Sequence, residues 1–119
     1  MHQGHHLIAD LEGCSHLADE GLIADCLARA AAAAAATLLE IRLHGFGPGQ
    51  GVTGVALLAE SHISIHTWPE HGSACVDIFL CSRAHDLDAA LHMIVSALGG
   101  RIRHKTLVER NFGASLPVD

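Results

Sequence analysis

Two stretches of this chain place apolar residues at helical spacing, and six others read as strands, the clearest of them alternating apolar and polar residues; their order fixes what the chain can fold into. The helical pair are Asp19–Ala36, with a stripe of Leu22, Ile23, Cys26 and Leu27, and Asp86–Leu98, with Leu87, Leu91, Ile94 and Leu98 on one face. Asp19 suits an N-cap, and Gly99-Gly100 supplies a stop. The strand-like runs are His5–Leu11, Thr37–Phe46, Val52–Ala59, His62–Thr67, Ala74–Cys81 and Arg101–Glu109, with alternation clearest in Thr37–Phe46. Gly45–Gly51 is a loop, Pro69–Gly72 a turn, and the tail after Phe112 is expected to be loose. The order β-α-β-β-β-β-α-β predicts an α+β fold. It is a two-layer α/β sandwich with a mainly antiparallel sheet, both helices on one face and the other face left for function or a partner.

The 119 residues make room for a single domain, 1–119. Half of them are hydrophobic but only 3% are aromatic, so the core must be built from Ala, Leu, Ile and Val. A net charge of −6, with scattered Lys and Arg, argues against nucleic acid or an anionic membrane as partner. Cys14, Cys26, Cys75 and Cys81 form no C-x-x-C pair, so reduced thiols in the cytoplasm are expected. Cys14, Cys26 and Cys75 are read as core. Ala28–Leu39 is too short to span a bilayer, and no signal peptide is visible.

The polar run Glu60–Glu70, ESHISIHTWPE, stands where a sheet is expected. Strand parity gives Ile63 and Ile65 one face and His62, Ser64, His66 and Trp68 the other. A small fold gains nothing structural from so much hydroxyl and imidazole on one face, yet Ser near His arises by chance in many strands, and the spacing alone leaves both readings open. His62 and His66 lie about 13 Å apart on a strand, too far to share a metal, and the His-rich start fits no fixed ligand spacing, so no metal is expected. Gly45–Gly51 leads into a strand and lacks the Lys of a phosphate-binding loop.

The stretch Gly51–Cys81, GVTGVALLAESHISIHTWPEHGSACVDIFLC, resembles the heart of the prokaryotic pyruvoyl-dependent S-adenosylmethionine decarboxylases, and the likeness extends over nearly the whole chain, including the opening HHLIADL. The resemblance implies self-cleavage between Glu60 and Ser61 into 1–60 and 61–119, with Ser61 becoming a covalently bound pyruvoyl group that forms a Schiff base with the substrate. It also implies that His66 is the processing base, that Thr53 supports processing, and that Cys81 donates a proton after CO₂ leaves. Glu70, Phe46 and Trp68 are the implied substrate-binding residues. The implied activity makes the aminopropyl donor for spermidine, in a homodimer of cleaved protomers, since this chain resembles half of the longer single-chain relatives.

The chain departs from the family pattern in three places. The loop between Phe46 and Gly51 is one residue longer, His71 and Ser73 stand where Tyr is common, and Ser82 replaces the usual Gly after Cys81. These leave self-processing untouched but loosen the case for a nucleoside substrate. A basic amino acid, arginine or ornithine, is therefore the alternative substrate, and a non-catalytic subunit is the alternative of another class.

Overall fold

In a computed structural model of the chain, residues 3–81 and 84–111 are described; the expected loose tail lies outside them. The elements are β1 (Gln3–Glu12), α1 (Glu20–Ala33), β2 (Leu38–Gly45), β3 (Val52–Leu58), β4 (Ser61–Trp68), a short 3₁₀ turn (Pro69–His71), β5 (Ser73–Leu80), α2 (Leu87–Leu98) and β6 (Arg101–Asn111). The six strands form one sheet in the order β2-β3-β4-β5-β1-β6, and every neighbouring pair is antiparallel. The α+β sandwich expected from the sequence is the fold.

Burial follows strand parity. Leu7, Ala9 and Leu11 on β1, Ile63, Ile65 and Thr67 on β4, and Ala74, Val76, Ile78 and Leu80 on β5 lie beneath the helices. They meet Ile23, Cys26, Leu27, Ala30 and Ala31 of α1 and Ala90, Leu91, Ile94 and Leu98 of α2. With so few aromatic rings, the alanines let α1 approach closely, and α1 packs on α2 as well as on β2 and β3. Thr67 is the one buried polar residue of the described core. Its Oγ1 donates to the Leu17 carbonyl at 2.7 Å and accepts the Val52 N–H at 2.9 Å, so its burial leaves no group unpaired.

Both helices begin where an Asp can cap them: Asp19 accepts the Leu22 N–H and Asp86 the Ala89 N–H. Gly99 ends α2 in the left-handed conformation. The end of α1 differs from expectation. The alanine run predicts helix to Ala36, but the helix stops at Ala33 and Ala35 turns left-handed at φ 63° so that β2 can reach the sheet. Tertiary packing overrides propensity there.

The face of the sheet away from the helices is uncovered. Ile8, Leu57, Trp68 and Val108 stand exposed on it, interspersed with His6, His62, Ser64, His66 and Asp77. Cys75 belongs to this face and is not core. The parity of β5 points it away from the helices, half-buried, with Sγ donating to Asp10 at 3.4 Å. Cys26 is buried and Cys14 packs against the core, as read from the sequence. None of the four forms a disulfide.

Candidate active site

The hairpin joining β3 to β4 is as tight as a hairpin can be. Leu58 pairs with Ser61, leaving Ala59 and Glu60 as a two-residue turn. Glu60 has φ 65°, one of three non-glycine residues described in the left-handed region. The turns that suit a two-residue hairpin have positive φ at the first central residue or at both; here only the second is positive. The backbone before Ser61 is thus in an unfavoured turn, with a side chain where glycine fits best. Ser61 Oγ reaches back to donate to the Ala59 carbonyl at 3.4 Å.

Ser61 and Glu60 line a cavity of about 200 Å³ with Cys81, Phe79, Gly4 and His85. Cys81 follows the last residue of β5, beside the start of β4, so the strand ends bring the predicted scission site and the predicted proton donor together. His85 was not singled out by sequence, because it falls in no motif or periodic stripe. Its Nδ1 is buried with no hydrogen-bond partner.

The remaining predicted residues gather elsewhere. Thr53 and His66 are direct cross-strand partners, with Thr53 Oγ1 and His66 Nδ1 3.2 Å apart. They line a second cavity, of about 320 Å³, with Phe46, Trp68 and Glu70. The longer glycine loop does not remove Phe46 from this group. Its N–H donates to the Gly51 carbonyl at 3.0 Å, and its ring meets His44 edge-on with centroids 4.7 Å apart. The His66 and Trp68 rings lie 6.3 Å apart at 31°. Five residues of strand separate Ser61 from His66, about 16 Å at the usual rise. Within one chain, the predicted residues form two half-sites at opposite ends of β4.

Between the half-sites, on the open face, lies a cluster that motif reading passed over. Asp77 Oδ1 faces His6 Nε2 at 2.5 Å and His62 Nε2 at 3.0 Å, while Ser64 Oγ donates to Oδ2. Burial alone would raise the Asp77 carboxyl. The hydrogen bonds from Ser64, His6 and His62 outweigh it and hold the group below the ordinary carboxylate range. His6, His62 and Asp77 offer three ligand atoms within 4.8 Å of one another, a grouping that comparing His62 with His66 could not foresee. Arg110 Nη1 lies 3.5 Å from His6 Nδ1. A guanidinium only donates, which assigns the His6 proton to Nε2, facing Asp77. A metal on Nε2 would force a proton onto Nδ1 against the guanidinium, so the arrangement suits a proton network.

Comparison with known proteins gives one answer. The S-adenosylmethionine decarboxylase family model matches residues 5–111. An S-adenosylmethionine decarboxylase proenzyme of Prochlorococcus marinus (strain MIT 9313) is 44% identical over 115 residues, spanning 95% of this chain and 91% of that protein. One from Pyrobaculum aerophilum is 47% identical over 97 residues, 80% of this chain and 78% of that protein. A crystal structure of the adenosylmethionine decarboxylase from Aquifex aeolicus VF5 superposes with a TM-score of 0.74 at 34% identity, covering 99% of this chain and 97% of that one.

Proposed function

This chain belongs to the S-adenosylmethionine decarboxylase family, and from that premise we propose that it cuts itself before Ser61 and decarboxylates S-adenosylmethionine. The observation that carries the reading is the placement of Ser61, which follows a left-handed Glu60 in a two-residue turn and shares a cavity with Cys81.

The chemistry follows from that placement. Ser61 Oγ attacks the Glu60 carbonyl carbon; the C–O bond forms as the C–N bond breaks, and the hydroxyl proton passes to the nitrogen of residue 61. A base then takes the α-proton of residue 61, the Cβ–O bond breaks, and Glu60 leaves as a carboxylate. Addition of water and loss of ammonia complete the conversion of residue 61 to a pyruvoyl group. The position fits such a group, because residue 61 heads a strand and opens into a cavity that its former partner, residue 60, also lines. When formed, the ketone supplies an electron sink for the pair left by CO₂. Cys81 Sγ, in the same cavity, is our choice for the proton returned to carbon.

His66 is our choice for the base and Thr53 for its support, yet His66, with Thr53 paired to it on β3, lies about 16 Å along β4 from Ser61. A second copy resolves the distance. If two sheets pack through their open faces about a two-fold axis running across the strands, the Ser61 end of one protomer lies over the His66 end of its partner. Two composite sites result, each with Ser61 and Cys81 from one chain and Thr53, His66, Phe46, Trp68 and Glu70 from the other. The aromatic rings and the Glu70 carboxylate then offer stacking and hydroxyl recognition to a nucleoside, which favours S-adenosylmethionine over a bare amino acid. Our reading has a small-molecule substrate and neither nucleic acid nor membrane as partner, which the net charge of −6 supports; no described helix is long and apolar enough to cross a bilayer. The four free cysteines are in keeping with a reducing compartment, and the cytoplasm is our choice for it.

Denaturing mass spectrometry on wild type and Ser61→Ala, with CO₂ release from S-adenosylmethionine, arginine and ornithine, tests the reading. Wild type should give two fragments meeting at Glu60/Ser61 and act on S-adenosylmethionine; Ser61→Ala should lose both scission and turnover. Normal CO₂ release by Ser61→Ala overturns the reading. Unfolding and refolding Ser61→Ala and His66→Ala chains together should restore activity that neither has alone, and failure to do so removes the shared site.

A further inference from the structure

We propose that Asp77 is a positioning residue for the reacting terminus: its carboxylate holds His62, the neighbour of Ser61, and so fixes the end of β4 that carries the chemistry. The inference rests on the self-processing reading above.

Before scission, Ser61 is held by the Glu60 peptide and by its pairing with Leu58 on β3. On the other side the register with β5 begins one residue later, at His62↔Phe79. Once the peptide is cut, residue 61 becomes a strand end of the kind that frays, with a cross-strand partner on one side only. A reacting atom on such an end must still be placed within a fraction of an ångström. The backbone ladder alone does not supply that at a terminus; the next side chain must.

His62 is built to do it. Its Nε2 lies 3.0 Å from Asp77 Oδ1, on the strand opposite. The ring packs beside those of His6 (centroids 5.9 Å apart, at 87°) and Phe79 (6.0 Å, at 41°). Asp77 is in turn fixed from both sides. Ser64 Oγ donates to Oδ2 from β4, and His6 Nε2 approaches Oδ1 from β1 at 2.5 Å. An ionised carboxylate accepts at both oxygens, and its hydrogen bonds are stronger than neutral ones. The network ties β4 to β5 and β1 one residue from the cut.

The network has two arms, and the His62 arm is the one in direct line with the chemistry. The His62 arm leads to Ser61; the His6 arm leads to β1. Asp77→Asn keeps the shape and removes the charge, His62→Gln removes the reacting-side arm, and His6→Gln removes the other. Scission, kcat and KM on cleaved enzyme, and thermal midpoint are measured for each, with size-exclusion profiles to establish equal assembly. Asp77→Asn and His62→Gln should each lower kcat by about tenfold with KM within about twofold, and the double variant should fall no further than the worse single one. His6→Gln, which leaves the direct His62–Asp77 contact in place, should lower the thermal midpoint and cost less kcat than Asp77→Asn. The inference is overturned if Asp77→Asn turns over like wild type, if its kcat loss adds fully to that of His62→Gln, or if His6→Gln lowers kcat as much as Asp77→Asn. These results presuppose wild-type scission; a wild type that neither cuts nor decarboxylates removes the underlying reading, and this inference with it.

Discussion

Replacing Glu60 separates backbone strain from side-chain chemistry at the proposed scission bond. An L-residue held in the left-handed region costs roughly 1–2 kcal/mol relative to glycine. Glu60, at φ 65°, holds that energy next to the bond proposed to break. If breaking the bond releases the strain, glycine lowers the starting state and raises the barrier by the same amount, which slows scission roughly five- to thirtyfold. Asparagine tolerates left-handed backbone better than most residues and should fall in between. Glutamine keeps the strain and loses only the charge, so it should cut within about twofold of wild type. The assay is a time course of intact and cleaved mass after refolding Glu60→Gly, Glu60→Asn, Glu60→Gln and wild type from denaturant. The strain argument fails if Glu60→Gly cuts as fast as Glu60→Gln. Equally slow cutting by Glu60→Gln, Glu60→Asn and Glu60→Gly would assign the effect to the carboxylate instead.

Thr67→Val is nearly isosteric but strands the Leu17 carbonyl and the Val52 N–H in the core, so urea denaturation should show a loss of about 2–4 kcal/mol. Asp77 has its folded-state pKa held below the unfolded value, so its contribution to stability is complete above about pH 5 and is lost as pH falls through the folded pKa. The groups facing it are His6 and His62, with Arg110 behind His6. Urea midpoints taken between about pH 2 and pH 6 should therefore fall more steeply for wild type than for Asp77→Asn; parallel curves would refute the assignment.

The fold was legible because hydrophobic periodicity and sheet burial are the same fact seen twice. The alternation of Ile41 and Leu43 and of Ile63 and Ile65 located strands, and Asp19 and Gly99 marked helix ends through local hydrogen bonding. The end of α1 was not legible, because no residue in the alanine run opposes helix; the turn at Ala35 is imposed by packing. Residues of the candidate site were legible through the motif, but their grouping was not. One strand carries Ser61 and His66 five residues apart, and a linear reading merges what an extended backbone keeps about 16 Å apart. Asp77 and His6 escaped notice for a related reason. Their partnership crosses from β5 to β1, 71 residues away in sequence, and only strand order brings them together. Reading Cys75 as core goes against its own parity, which groups it with Asp77 and Phe79 on the open face although its sequence neighbours Ala74 and Val76 are buried.

The strand order β2-β3-β4-β5-β1-β6 has a consequence for a chain that severs itself. A break after residue 60 gives β1, β2 and β3 to one piece and β4, β5 and β6 to the other, and the pieces then meet along three seams: β3 with β4, β5 with β1, and β1 with β6. Ownership interlaces like the fingers of clasped hands, and neither piece can leave without unlacing the other's hydrophobic layer. The nick thus changes connectivity while leaving the architecture in place, and a new chain terminus appears inside a molecule that has no easy way to come apart.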